Sequence, residues 1–204
     1  VETGEPDAVL SGHRDRVDAV AWHPGSRRFV SGGRDSRAII WTVDGTLERI
    51  LPRHPCAVSS VAWSPDGELL ATGDGSSADP SDDALGGKIR IFDRQGSGEQ
   101  SGFIDTDNST VPSIDWSHDG RTILVSCFPL SDARIWNLDG TGPVVLKGHT
   151  HHVVGADWSP DGTQIATASC DNTIRLWGAD GAAGSVLEGH DSDVLCVKWS
   201  PDGT

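Results

Sequence analysis

The sequence predicts an all-β fold, a β-propeller of four-stranded antiparallel blades with four blades complete and a fifth in part. Three observations carry that expectation. A tryptophan closes a short apolar run five times: VDAVAW to Trp22, VSSVAW to Trp63, VPSIDW to Trp116, VVGADW to Trp158 and VLCVKW to Trp199, at spacings of 41, 53, 42 and 41 residues. Self-similarity at a period in the forties marks a stacked repeat whose units are too small to bury their own apolar faces. The runs alternate with period two, which reads as strand and not helix. A tight turn then follows, as Ser64-Pro65-Asp66-Gly67, Ser159-Pro160-Asp161-Gly162 and Ser200-Pro201-Asp202-Gly203, and in looser form as Ser117-His118-Asp119-Gly120. Proline pre-sets φ, aspartate bonds locally and glycine is free to take positive φ. Four antiparallel strands per unit, repeated radially, make a propeller blade.

Taken in order, the chain opens with an outer strand near Ala8 to Leu10. Blades follow over approximately 11–51, 52–105, 106–147 and 148–188, and residues 189–204 carry the first strand of a fifth. The clearest unit reads LKGH, VVGADW, SPDG, TQIATAS, CDN, TIRLW over residues 146–177. One insertion breaks the period. Trp63 to Phe92 spans 29 residues against 19 for Trp22 to Trp41, and the surplus lies in GDGSSADPSDDALGG, residues 73–87. Asp74, Asp79, Asp82 and Asp83 are candidate calcium ligands by type. Their spacing matches no calcium loop, and the composition suits a solvated loop or one that touches a partner. Seven blades at this period need roughly 290 residues. The expectation is therefore one domain that is a piece of a longer propeller, with raw strand edges through which the isolated chain self-associates.

The net charge of −14 is uneven: residues 1–53 hold eight basic and eight acidic residues, whereas 54–204 hold eight basic and 22 acidic. So acidic a surface disfavours nucleic acid and anionic membranes as partners. No apolar run is long enough for a transmembrane helix. Val1 to Ala8 lack the basic and apolar regions of a signal peptide, in a chain that begins without Met. Cys56, Cys127, Cys170 and Cys196 fall in different repeats without CxxC spacing, which points to free thiols and a reducing, cytoplasmic setting.

The pairs Gly12-His13, Gly148-His149 and Gly189-His190, the strand-end Trp41, Trp136 and Trp177, and the SPDG turns together resemble the WD40-repeat family over essentially the whole chain. The Asp of the family's name survives only as Asp93, after Phe92; Thr42, Asn137 and Gly178 follow the tryptophans. The resemblance implies a buried hydrogen-bond relay in each blade, formed by Trp, Ser or Thr, His and Asp. In the first blade these are Trp41, Ser31, His13 and Asp35, and in the fourth Trp177, Thr167, His149 and Asp171, with identical separations. The second blade keeps His54 and Thr72 but has Phe92 for Trp and a displaced turn Asp. The third has Asp107 for His and Val125 for the hydroxyl. The middle blades are therefore expected to be softer and to rely on apolar packing. The same residue types make catalytic triads, but a set repeated per blade on core strands is a structural one. His149, His151 and His152 have metal-ligand types; His149 is taken by the relay, and no metal or cofactor is expected.

The resemblance also implies partner contacts on the rim where first strands begin: Arg16, Asp18 and Arg34; Ala57 and Ser59; Thr110 and Pro112; His152, Val154 and Cys170; Asp193 and Leu195. Arg16 and Arg34 are expected to sit together on an otherwise acidic protein. The function that follows is a non-catalytic scaffold for other proteins or peptides. An alternative is the docking region of a larger bacterial-type signalling protein with its kinase or ATPase elsewhere, since no phosphate-loop pattern occurs here. A metal-dependent propeller hydrolase would need Asp, Glu, Asn or His converging from several blades, and the rim candidates offer no such set.

Overall fold

The computed structural model describes residues 9–25, 27–75, 87–96, 99–106 and 109–203. Among them every regular element is a strand, and the strands form four separate four-stranded antiparallel sheets. The first blade holds β1 (Val17–Trp22), β2 (Arg28–Gly33), β3 (Ala38–Thr42) and β4 (Leu47–Ile50). The second holds β5 (Val58–Trp63), β6 (Leu69–Asp74), β7 (Lys88–Asp93) and β8 (Glu99–Asp105). The third holds β9 (Thr110–Trp116), β10 (Thr122–Phe128), β11 (Asp132–Asn137) and β12 (Val144–Lys147). The fourth holds β13 (Val153–Trp158), β14 (Gln164–Ser169), β15 (Ile174–Gly178) and β16 (Ala183–Leu187). Sequence order equals spatial order in each sheet, as in a meander.

The turns form for the reason their residues suggest. Gly67, Gly120 and Gly162 have φ of 71°, 68° and 70°, and each donates its N–H to the carbonyl of the serine or its equivalent three residues back. The Asp at the third position accepts the serine hydroxyl, at 2.6 Å from Ser64 to Asp66 and from Ser159 to Asp161. Each hairpin end is thus closed by side chains that lie within the turn itself.

First strands of successive blades lie side by side, β1 by β5, β5 by β9 and β9 by β13, and the core lies between blades. Val30, Ile40, Val58, Trp63, Leu70 and Phe92 join the first blade to the second. Ile89, Ile91, Val111, Trp116 and Ile123 join the second to the third, and Leu124, Leu146, Trp158, Ile165 and Trp177 the third to the fourth. The equivalent tryptophans show the consequence. Trp63 and Trp158 are 7% and 9% exposed, whereas Trp22, whose face meets no preceding blade among the described residues, is 61% exposed.

Two expected strands do not form. Val9 and Leu10 are coil, with Val9 82% exposed. β4 already closes the outer side of the first blade, so they have no ladder to join. The run from Val194 to Trp199, part of the fifth unit, carries no strand either. It is tethered to the fourth blade by single bonds, Val194 N–H to the Ser169 carbonyl at 3.1 Å and Trp199 N–H to the Asp157 carboxylate at 2.7 Å. A strand exists through repeated bonds to a neighbouring strand, and none of the described residues supplies one.

Candidate protein-binding rim and the relays beneath it

In the first blade the Trp41 indole N–H donates to Ser31 Oγ at 2.8 Å, and the hydroxyl lies 2.7 Å from His13 Nε2. His13 Nδ1 lies 2.9 Å from Asp35 Oδ1. In the fourth blade the corresponding distances are 2.9 Å for Trp177 to Thr167, 2.8 Å for Thr167 to His149 Nε2 and 2.8 Å for His149 Nδ1 to Asp171. Partner chemistry sets the tautomer: the carboxylate takes the Nδ1 proton, so Nε2 accepts from the hydroxyl. A glycine precedes each His because the relay packs tightly there. A Cβ on Gly12 would lie 2.8 Å from the Trp41 ring, and one on Gly148 would lie 2.7 Å from Arg175. Ser31 and Thr167 are buried, at 4% and 0% exposure, with the hydroxyl held on both sides. Neither is placed to attack a substrate.

Each relay ends in the rim. Asp35 Oδ2 accepts the Arg14 N–H at 2.8 Å, and Asp171 Oδ2 accepts the Thr150 N–H at 3.0 Å. Burial pushes both carboxyls up, but these N–H bonds and those from His13, or from Thr173 and His149, outweigh it and hold both below the usual carboxylate range. Burial holds His149 down despite the neighbouring Asp171.

The middle blades differ. His54 Nε2 meets Thr72 at 2.8 Å, but the buried His54 Nδ1 has no partner among the described residues, and Phe92 packs beside the ring in place of an indole. Burial, with the charge of Arg90, pushes His54 down to about 4. The altered relay leads to the expectation that the second blade is held more by apolar packing than by polar closure; it also carries a buried ion pair. Asp74, fully buried, lies 3.3 Å from the Arg90 guanidinium and accepts the Lys88 N–H at 2.8 Å. Asp74 is thus a strand residue committed to an internal ion pair and not a loop ligand for calcium; Asp79, Asp82 and Asp83 lie outside the described residues. In the third blade Val125 stands where Thr167 does in the fourth, and the buried Trp136 indole N–H has no acceptor among the described residues. Asp107 lies outside the described residues.

On the rim the structure brings Arg16, Asp18 and Arg34 together. Both Arg Nε groups donate to the Asp18 carboxylate, Arg34 at 3.2 Å, and the Arg34 N–H bonds the Arg16 carbonyl at 2.9 Å. The equivalent backbone bond joins Cys170 to His152 at 2.9 Å. His152 is half-buried, with Nδ1 on the Pro129 carbonyl at 2.7 Å and its ring in edge contact with Phe128 and with the exposed His151. Ser59 spends its hydroxyl on the Val111 carbonyl of the next blade at 2.8 Å. Ala57, Thr110, Pro112 and Val154 are half-buried, while Asp193 and Leu195 are exposed. Burial raises the Cys170 thiol, and the Asp193 carboxylate beside it adds to the effect.

Two features escaped the sequence reading. An aspartate directly before the strand-closing tryptophan clasps the next blade: Asp115 Oδ2 takes the Trp158 N–H and Asp157 Oδ2 the Trp199 N–H, both at 2.7 Å. Lys198 caps Asp157, and that bond and charge raise its ammonium despite burial. The signal was present as DW in the third and fourth blades against AW in the first two. The other feature is a pocket of about 430 Å³ beside Arg16, lined by Arg14, Asp15, Asp35, Arg37, Ile50, Leu51 and Arg53.

Comparison with known proteins agrees with this architecture. The WD40 model, described as WD domain, G-beta repeat, matches residues 4–42, 45–93, 142–178 and 182–204, a set that leaves out most of the third blade. The chain is similar to the B-type cell cycle switch protein ccs52B of Medicago truncatula, 29% identical over 81% of this chain and 33% of that protein. It is similar to the WD repeat-containing protein srw1 of Schizosaccharomyces pombe, 30% identical over 81% of this chain and 29% of that one. A third relative is the chromatin assembly factor 1 subunit FAS2 homolog of Oryza sativa subsp. japonica, 30% identical over 74% of this chain and 31% of its own. The chain thus spans about a third of the length of the curated relatives it matches. Among the described residues no helix is long and apolar enough to cross a membrane. With blades, relays and family matches covering most of its length, the chain belongs to the WD40 family.

Proposed function

We propose that this protein is a non-catalytic scaffold that binds other proteins through the propeller rim, and that the first blade supplies the principal contact. The observation that carries the reading is the arginine pair. Arg16 and Arg34 project from adjoining loops, share one carboxylate, and stand on a chain whose remaining blades are strongly acidic. Arginine is favoured at binding hot spots because its planar fork takes carboxylates in bidentate fashion. The relatives support a regulatory and assembly role: one is named as a cell cycle switch protein and another as a subunit of a chromatin assembly factor. They come from plants and fission yeast, and so lend no support to a bacterial-type signalling protein. Burial of the relay hydroxyls favours a scaffold over a hydrolase. A cytoplasmic setting, protein or peptide partners, and little affinity for nucleic acid or membrane remain part of this reading.

Exchanging both arginines for glutamate, Arg16→Glu with Arg34→Glu, tests it. The fold should persist by circular dichroism, and capture of an acidic partner should be abolished. An unchanged set of captured partners after that double charge reversal would show that the pair is merely solvated.

A further inference from the structure

The pocket beside the arginine pair has a chemistry of its own. Arg14 and Arg53 are exposed and Arg37 is half-buried, and all three line it. Among the described residues no hydrogen bond or ion pair engages the Arg14 or Arg53 guanidinium. Arg37 Nε reaches Asp35 only at 3.9 Å. The two carboxylates in the wall are already committed. Asp35 receives His13 on one oxygen and the Arg14 N–H on the other, and Asp15 accepts the Arg16 N–H at 2.7 Å. Three guanidiniums and two carboxylates therefore line the cavity, the carboxylates held in place by backbone N–H groups and His13 while keeping their charge, and Ile50 and Leu51 supply an apolar side.

We propose that this pocket anchors an acidic peptide segment of a partner protein. One carboxylate is held by Arg14, Arg37 and Arg53, while a neighbouring carboxylate displaces Asp18 from Arg16 and Arg34. The proposal rests on the scaffold reading and names the partner's chemistry. Charge complementarity argues for it. Arg14, Arg37 and Arg53 line the pocket and Arg16 and Arg34 share Asp18 beside its Asp15 wall, so five arginines stand against Asp15, Asp18 and Asp35, in a protein of net charge −14 in which residues 54–204 hold eight basic and 22 acidic side chains. Such a surface repels an acidic segment everywhere else and steers it to this corner, so one charge pattern gives both attraction and exclusion. The relay beneath pre-organises the site. Asp35 fixes the Arg14 backbone from below, so the loop is ordered before the peptide arrives.

Fluorescence anisotropy with a labelled hexaglutamate peptide and the full chain tests this. Saturable binding is expected at low ionic strength, weakening steeply as salt rises from about 50 to about 500 mM. The Arg14→Ala/Arg53→Ala variant should lose about tenfold or more in affinity, since charge-assisted bidentate bonds are the strong ones. The Arg94→Ala/Arg121→Ala variant removes two arginines that pair with Glu68 and Asp119 on other blades, and it should change affinity by less than about twofold. Absence of saturable binding, equal losses in both variants, or binding only to a phosphoserine peptide and to inorganic phosphate would overturn the proposal. If Arg14→Ala/Arg53→Ala leaves binding intact while Arg16→Glu/Arg34→Glu abolishes partner capture, the pocket assignment fails and the rim reading stands.

Discussion

The third and fourth blades share a backbone and differ in what fills it. Val125 and Thr167 occupy the same register, opposite Arg134 and Arg175 on the neighbouring strand. In the fourth blade that position carries a hydroxyl, and a chain of hydrogen bonds runs from Trp177 through Thr167 and His149 to Asp171 and out to the Thr150 loop. In the third blade it carries an apolar side chain, and the Trp136 N–H has no acceptor among the described residues. The second blade is a third solution, a half relay plus the buried Asp74–Arg90 pair. Four-stranded blades therefore do not require the relay. Its effect is to join the blade core to the rim loop, which is why the two complete sets sit under the first and fourth blades' turns. The family match passes over most of the third blade, the one in which that joint is missing.

The largest effect is expected in the second blade. Asp74→Ala leaves Arg90 with its buried partner removed, and breaking a buried pair from one side costs about 3–5 kcal/mol. Urea denaturation measures it, and a loss comparable to that at an exposed pair such as Arg94–Glu68 would show that Asp74 is not structurally committed. Next comes His149→Ala, which strands Thr167 and Asp171 and should cost about 1–3 kcal/mol.

The clasp between the third and fourth blades adds a pH-dependent term. Burial pushes Asp115 up to about 6 from 3.8, against the Trp158 N–H and the Lys198 charge, which lower it. The native chain thus holds more protons than the unfolded chain between those values, and this stabilising term is lost as pH rises through about 6. His54 acts oppositely. Held down to about 4, it is neutral in the native state while the unfolded chain protonates below 6.5, so its term favours folding as pH rises. The Asp115→Asn variant separates the two. It keeps an acceptor for Trp158, and relative to the parent it should gain on the order of 1–2 kcal/mol between pH 4 and pH 7. A pH-independent difference would place Asp115 in an ordinary solvated environment.

Much of this fold is legible in the sequence. The Trp period and the SPDG turns specify strands through local chemistry, and the resemblance to the WD40 family names the relay residues. What could not be read depended on neighbours distant in sequence. Asp74 looked like a loop acid because nothing local shows that Arg90 will lie beside it across the sheet. The arginine pocket gathers residues 14, 37 and 53 from three loops, whereas the pair at 16 and 34 follows from the family resemblance. The run from Val194 to Trp199 reads as a strand by pattern, yet pattern sets only which side chains alternate; a ladder needs a second chain segment to bond.

One isosteric exchange made in both directions tests the comparison most directly. Thr167→Val deletes the relay hydroxyl from the fourth blade, and Val125→Thr installs one in the third, where Trp136 N–H can donate to it and the Arg134 carbonyl can accept from it. Denaturant unfolding of the two variants should give opposite signs. Thr167→Val should lose about 1–3 kcal/mol because the Trp177 indole N–H and His149 Nε2 lose their partner. Val125→Thr should gain about 0.5–1 kcal/mol by pairing Trp136. A neutral or stabilising Thr167→Val would contradict the account, since the fourth blade would then stand on apolar packing as the third does.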